Sequence, residues 1–204
     1  MAEPSISPPP ATNAWWPGKP VKLEAPGYHL RSLVKSDAGE RLCAWFADAE
    51  VVRQMNSPPQ TATPQAMGAH IEAFDNRAAF LIGIFDKAAD DLHVGYYSIY
   101  CDLTNGNAET IVMVGDRAYW GKRVVTATRP AVIDFLFNRV GIEKVWGRPL
   151  ARDFAGIHNY LELGFRCEGI LRNQLRTPDG RRADQYFFGL DRRDWRARRK
   201  KAAA

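Results

Sequence analysis

Residues 108–140, AETIVMVGDRAYWGKRVVTATRPAVIDFLFNRV, constrain this chain more than any other stretch. An apolar run, Ala108–Val114, breaks into a loop at Gly115 and Gly121. A helical pattern follows over about 125–140, with Val132, Ile133, Leu136, Phe137 and Val140 on one face. A strand that ends in a glycine loop at a helix N-terminus offers an anion both unpaired backbone N–H groups and the positive end of the helix dipole. The loop is not a Walker loop, because the spacing GxxxxGK[ST] is absent. It is not a dinucleotide fingerprint either, because the three-glycine pattern is missing and other strands precede it.

Those other elements read as strand, helix, helix, strand, strand before the loop. Tyr28–Leu33 is the first strand. Asp37 and Glu40 have capping-box spacing ahead of Leu42, Trp45, Phe46 and Ala49 at helical intervals. Thr63–Pro64 opens a second helix with an N-cap and an N1 proline, and Met67, Ile71 and Phe74 form its apolar stripe. Phe80–Phe85 and Leu92–Tyr100 are strands, and Thr104-Asn105-Gly106-Asn107 turns the second into 108–114. Beyond the long helix come a strand at Lys144–Pro149 and a helix at Phe154–Leu163 that ends on Gly164. A hairpin of 165–175 and 183–190 turns at Pro178-Asp179-Gly180. Strands and helices mix in one unit, so the class is α+β with a mixed sheet.

The ends of the chain have their own character. Residues 1–26 hold seven of the 13 prolines and read as an extended arm rather than a helix or central strand. Trp15 and Trp16 would be a sticky patch if exposed, so they are expected to dock on the domain or on a partner subunit, which leaves a homodimer open. The domain spans 27–195, and 196–204 is a basic tail. The net charge of +5 sits entirely in 191–201, where seven Lys/Arg face two Asp. The rest of the chain is neutral, which argues against a nucleic-acid face and for a solvated appendage.

Cys43, Cys101 and Cys167 show no disulfide framework or zinc spacing, and the four histidines form no i, i+4 pair, so no metal site is expected. The few cysteines suit a cytoplasmic protein. No apolar run approaches the ~20 residues of a membrane span, and the N-terminus has no apolar signal-peptide core.

The element order, with AETIVMVGDRAYWGK, FLFNRVGIEKVWGRPL, NYLELGFRCEGILR and GRRADQYFFGLDRRDW, resembles the GNAT acetyltransferase superfamily over about 28–195. The branch it is most similar to includes ribosomal-protein, spermidine and amino-sugar N-acetyltransferases. The resemblance implies a mostly antiparallel sheet, flanked by helices, that splays between the fourth and fifth strands, here 108–114 and 144–149. It implies acetyl-CoA in that splay as co-substrate, with no metal. The pantetheine arm would pair with strand backbone near Met113 and Val114 as an added strand does. The pyrophosphate would sit on the loop of Trp120, Gly121, Lys122, Arg123 and Val124.

The loop departs from the family's Arg/Gln-x-x-Gly-x-Gly/Ala. In one register Gly121 is the first glycine, Ala118 takes the Arg/Gln position and Arg123 the second small position. In a register shifted by two, Trp120, Arg123 and Val125 take those places. Arg123 departs in both, and it either adds a charge-assisted bond to phosphate or crowds the site. Pro130 removes one backbone donor from the helix.

Acetyl transfer to an amine of pKa ~10 needs a proton acceptor. Glu109, on the strand flanking the splay, is the candidate base; a solvent-exposed glutamate at a hairpin end is the other reading of it. Tyr160 matches the family's Tyr-x-x-x-Gly-Phe in YLELGF, which makes it the candidate acid for the CoA sulfur. Asp153 stands where the family usually has Asn, and Gly156 where it has Ser; both are expected beside pantetheine. Segment 48–76 is expected to form a flap with Arg53, Gln54, Met55 and Asn56 at its mouth. One face of Tyr96, Tyr97 and Tyr100 is expected to line the acceptor channel. The acceptor is a primary amine, either a protein N-terminus or a small molecule. A polyamine would want several carboxylates at the cleft, and the flap offers Asp48 and Glu50, which is thin support for one. A non-catalytic acyl-CoA-binding module is the rival reading.

Overall fold

The computed structural model describes residues 15–203. Eight strands form one sheet in the order β1-β2-β3-β4-β5-β6-β8-β7. They are β1 (Lys22–Ala25), β2 (Tyr28–Ser32), β3 (Ala79–Asp86), β4 (Leu92–Asp102), β5 (Asn107–Val114), β6 (Lys144–Gly147), β7 (Arg166–Arg176) and β8 (Arg182–Asp191). Every neighbouring pair is antiparallel except β5–β6.

Helices cover both faces. On one side lie α1 (Glu40–Ala47), α2 (Ala49–Gln54) and α3 (Pro64–Glu72); on the other lie α4 (Val124–Phe135), α5 (Phe154–Glu162) and α6 (Arg192–Ala203). The central strands β3 and β4 are apolar on both faces to match. Phe80, Ile82 and Ile84 of β3 pack toward Val132, Ile133 and Phe135 of α4. Leu81 and Phe85 face Leu42, Trp45, Met67 and Ile71. This is a buried β3 between two helical layers, which explains why AFLIGIFD runs apolar without alternation.

Local signals act as their chemistry requires at α3, where Thr63 Oγ1 accepts from Ala66 N and Pro64 follows it. Gly164 takes φ +88° after α5. α4 runs through Pro130 and ends in a wider π turn, Leu136–Val140. Asp37 does not build the capping box with Glu40. Its carboxylate holds Arg31 at 2.7 Å and the Val34 N–H, and Gly39 is the α1 N-cap. An arginine within reach competes for the oxygen that a cap would need.

The chain ends meet the sequence expectation only in part. The arm's prolines at 1–14 lie outside the described residues. Within 15–26, however, Lys22–Ala25 is an edge strand, where the flanking prolines cost no central ladder bond. Trp15 packs on the chain's own core, with Phe80 and Phe135 at centroid distances of 5.6 and 5.2 Å, while Trp16 stays exposed.

The basic tail is not a loose appendage: it is helix α6. Trp195 is buried, its Nε1 donates to Asp134 at 2.7 Å, and Arg199 pairs with the same carboxylate. Charge dominates the composition of 191–201, and one tryptophan decides its placement. Trp195→Ala is therefore expected to cost about 3–5 kcal/mol of stability in denaturant unfolding. Deleting 196–204 removes the exposed Arg199–Asp134 ion pair, worth about 0–1 kcal/mol, together with the Arg198 bond to Glu162 O and the Arg199 contact on the Trp195 ring, and should leave the fold intact.

Candidate active site

β5 and β6 pair only over Asn107–Glu109 and Lys144–Trp146, then part. The cause is visible at the fork. A Cβ on Gly147 would stand 2.0 Å from the Tyr160 hydroxyl and 3.1 Å from the Thr110 carbonyl. The Tyr160 hydroxyl wedges into the gap from α5 and donates to Thr110 O at 3.2 Å, taking an acceptor that a longer β6 would have used. Its ring is clamped, stacked on Phe188 at 5.2 Å and edge-on to Phe165 at 4.9 Å.

The gap opens into a two-part cleft. The inner part, about 270 Å³, holds Glu109, Thr110, Tyr160, Arg129 and Arg148. The outer part, about 360 Å³, runs along Val112 and Val114 to Trp120, Gly121, Arg123 and Val124. Gln54, Val112, Val125, Asp153, Gly156 and Asn159 line both, so the two parts are one channel.

At the outer end the first turn of α4 points its N–H groups at the cleft without intrahelical acceptors, and its N-cap, Arg123, provides no side-chain cap. Arg123 takes φ +59°, a conformation in which glycine is the ordinary occupant. Its guanidinium crosses to Glu162 of α5, so it bridges the mouth rather than filling the loop. Lys122 turns away, its Nζ 5.0 Å from the Tyr119 ring centroid, and lines neither part of the cleft. Met113 sends its side chain into the core under α1 and α3 and lines neither part of the cleft, contrary to expectation, while Val114 lines the outer part. The Trp120 indole is fixed by a 2.8 Å bond to Val114 O.

Asp153 and Gly156 are cleft residues, but they serve each other first. Asp153 Oδ1 accepts from Gly156 N at 2.9 Å as the N-cap of α5. A serine at 156 would bring its Cβ to 2.1 Å from that carboxylate. The aspartate and the glycine are thus one coupled departure.

Glu109 lies at the last β5–β6 pair and faces the inner cleft, mostly buried. Sequence reasoning missed its partner. Arg148 donates Nε and Nη2 to Glu109 Oε1 at 3.1 and 3.0 Å, which leaves Oε2 without a protein partner. The signal existed in the register, because Trp146 pairs with Glu109 and Arg148 falls two residues on, on the same face.

Gln54, Met55 and Asn56 reach the inner cleft as expected of a flap, but Arg53 turns to Glu50. The three tyrosines of β4 do not line the cleft. Tyr96 is in the core beneath α1, and Tyr97 bonds Thr128 of α4 at 2.8 Å. Tyr100 packs on Phe74 at 5.7 Å. Burial pushes the Tyr97 phenol well up, with the nearby Arg129 charge acting in the opposite direction. Among the described residues no cluster of three His, Cys, Asp or Glu side chains could hold a metal, and no helix is long and apolar enough to cross a membrane.

Comparison with known proteins agrees with this geometry. Residues 28–166 match the acetyltransferase (GNAT) domain. The chain is 28% identical over 173 residues, 81% of its own length and 93% of the relative's, to the uncharacterized N-acetyltransferase p20 of Bacillus licheniformis. It superposes on spermidine N-acetyltransferase from Vibrio cholerae, solved with CoA and spermine, at TM-score 0.74 and 16% identity, covering 83% of this chain and 98% of that one. Ribosomal-protein-S5-alanine acetyltransferase from Vibrio fischeri gives 0.70 at 19% identity, covering 86% and 98%. A match to the GNAT domain over most of the folded chain, joined to a sheet that splays beside an uncapped helix N-terminus, makes this chain a member of the GNAT acetyltransferase family.

Proposed function

We propose that the protein transfers acetyl from acetyl-CoA to a primary amine. The observation that carries this reading is the continuous channel from the α4 N-terminus to the β5–β6 fork. The residues present fit the co-substrate. The first turn of α4 offers free N–H groups to a pyrophosphate, and the β5 edge beyond Glu109 is unpaired by β6 and so open to a pantetheine amide. Backbone supplies most of this, which is why the side-chain changes at Ala118 and Arg123 leave the site intact.

Glu109 takes the ammonium proton, directly or through water, with Oε2. Tyr160 gives a proton to the leaving sulfur. Beside Glu109 and Asp153, the inner cleft is walled by four amides, Gln54, Asn56, Gln174 and Gln185. Asp48 caps α2, Glu50 pairs with Arg53, Glu72 pairs with Lys35 and Asp75 accepts from three backbone N–H groups, so the flap's carboxylates do not favour a polyamine. An acceptor held by neutral hydrogen bonds, a peptide N-terminus or a small polar amine, suits this wall.

Acetyl-CoA should raise the melting temperature, because the channel exists only in the folded chain. At about 100 times Kd the gain is ~2.7 kcal/mol. An unchanged melting curve at saturating acetyl-CoA would remove the co-substrate from this reading.

A further inference from the structure

Arg129 is the part of the cleft that the chemistry above leaves unused. It sits in the sixth position of α4 and faces the inner cleft, yet it is only 1% exposed. Its Nε and Nη1 are buried and meet no hydrogen-bond partner among the described residues. Its Cζ lies 4.5 Å from the Tyr160 ring centroid and 5.8 Å from that of Tyr97, so aromatic faces are its main company. Cation–π contact offsets only part of the desolvation of a guanidinium, which does not deprotonate in a protein. The carboxylates of the cleft are committed elsewhere: Glu109 to Arg148, Asp153 to the α5 cap and Glu162 to Arg123. A permanent buried charge with idle donors, facing a ligand channel, calls for an anion that arrives with the ligand.

We propose that Arg129 is an anion site for the sulfur of departing CoA, and that it stabilises the thiolate as the thioester breaks. This rests on the reading of the cleft as an acyl-CoA site. The phosphates are not the anion, because Arg129 lines the inner cleft and not the outer part where the α4 N-terminus lies. In the step, the C–N bond of the amide forms and the C–S bond breaks with its electron pair on sulfur. The amine proton passes to Glu109 or water. Sulfur stays against the guanidinium until it takes a proton from the Tyr160 hydroxyl, which solvent restores. The group that stabilises the thiolate and the group that protonates it are thus stacked neighbours. Other charges that bear on a thiol there are the self-neutralising Glu109–Arg148 pair, the Arg123–Glu162 pair farther out, and Asp153, whose negative charge opposes the effect.

The test is ultraviolet titration of the thiol of bound CoA in the full-length wild type, Arg129→Leu and Arg129→Lys, with desulfo-CoA affinity as control. In the wild type the bound thiol should titrate about one unit or more below free CoA, a tenfold preference for thiolate. Arg129→Leu should return it to the free value, Arg129→Lys should lie between, and desulfo-CoA should bind all three alike. Arg129→Leu should also melt no lower than wild type, because it removes an uncompensated buried charge. A bound thiol that titrates identically in wild type and Arg129→Leu overturns the assignment while leaving CoA binding in place. A wild type that prefers a carboxylate-bearing acyl thioester to acetyl-CoA, with Arg129→Leu reversing the preference, overturns it in favour of an acyl carboxylate. No CoA binding by the wild type removes the site reading itself and the proposal with it.

Discussion

Tyr160→Phe is expected to lower turnover about 10²-fold, toward the low end of what general acid assistance supplies, while acetyl-CoA affinity stays nearly unchanged. The ring keeps its stack on Phe188 and its edge contact with Phe165, so α5 stays seated beside the fork. What is lost is the hydroxyl and its bond to the Thr110 carbonyl. A thiolate is a fair leaving group, so the loss should not reach the largest values known for general acids. Steady-state kinetics separates the outcomes. A fall in kcat with constant KM for acetyl-CoA fits a proton donor. A fall in affinity together with a lowered melting temperature would assign Tyr160 to the architecture of the fork alone.

Glu109→Gln is expected to cost about 10²–10³-fold at neutral pH, within the usual range for a lost general base. The cost should shrink as pH rises, because an amine of pKa ~10 then arrives neutral and needs no acceptor for its proton. Gln keeps the shape and one oxygen toward Arg148, so the strand end should hold. The informative quantity is the slope of the kcat/KM profile against pH. A variant with a steeper approach to high pH than wild type supports the base. A variant that parallels the wild-type profile at every pH makes Glu109 an ion-pair partner of Arg148 and sends the proton to bulk water.

The sheet was legible because its strands and loops carry local chemistry: the Asn-Gly hairpin before β5, the N1 proline of α3, and Gly164 after α5. The apolar runs of β3, β4 and β5 gave the central strands for the same reason. β1 escaped notice because prolines around 17–26 speak for an arm, and only pairing with β2 makes Lys22–Ala25 a strand. α6 escaped because its charge outweighs Trp195 in any count of composition, and the Asp134 that receives the indole lies sixty-one residues away. The same distance problem governs the site. Tyr160 was readable from its motif. Arg148 and Arg129 were not, because their importance comes from β5–β6 register and from the inward face of α4, neither of which one sequence displays. The β4 tyrosines show the converse error. Alternation correctly put them on two faces, but helices cover both faces at Tyr96 and Tyr97, and Tyr100 is half-exposed beside Phe74.

The most direct measurement of the central claim is thiol release from acetyl-CoA by the full chain over a panel of amines, with peptide N-termini, small polar amines and polyamines as separate groups. The account predicts amine-dependent release with at least one peptide or small polar amine, little with polyamines, and a rate that collapses in Tyr160→Phe. Tight acetyl-CoA binding with no amine-dependent release across the panel would contradict it and leave the channel as a binding site without transfer.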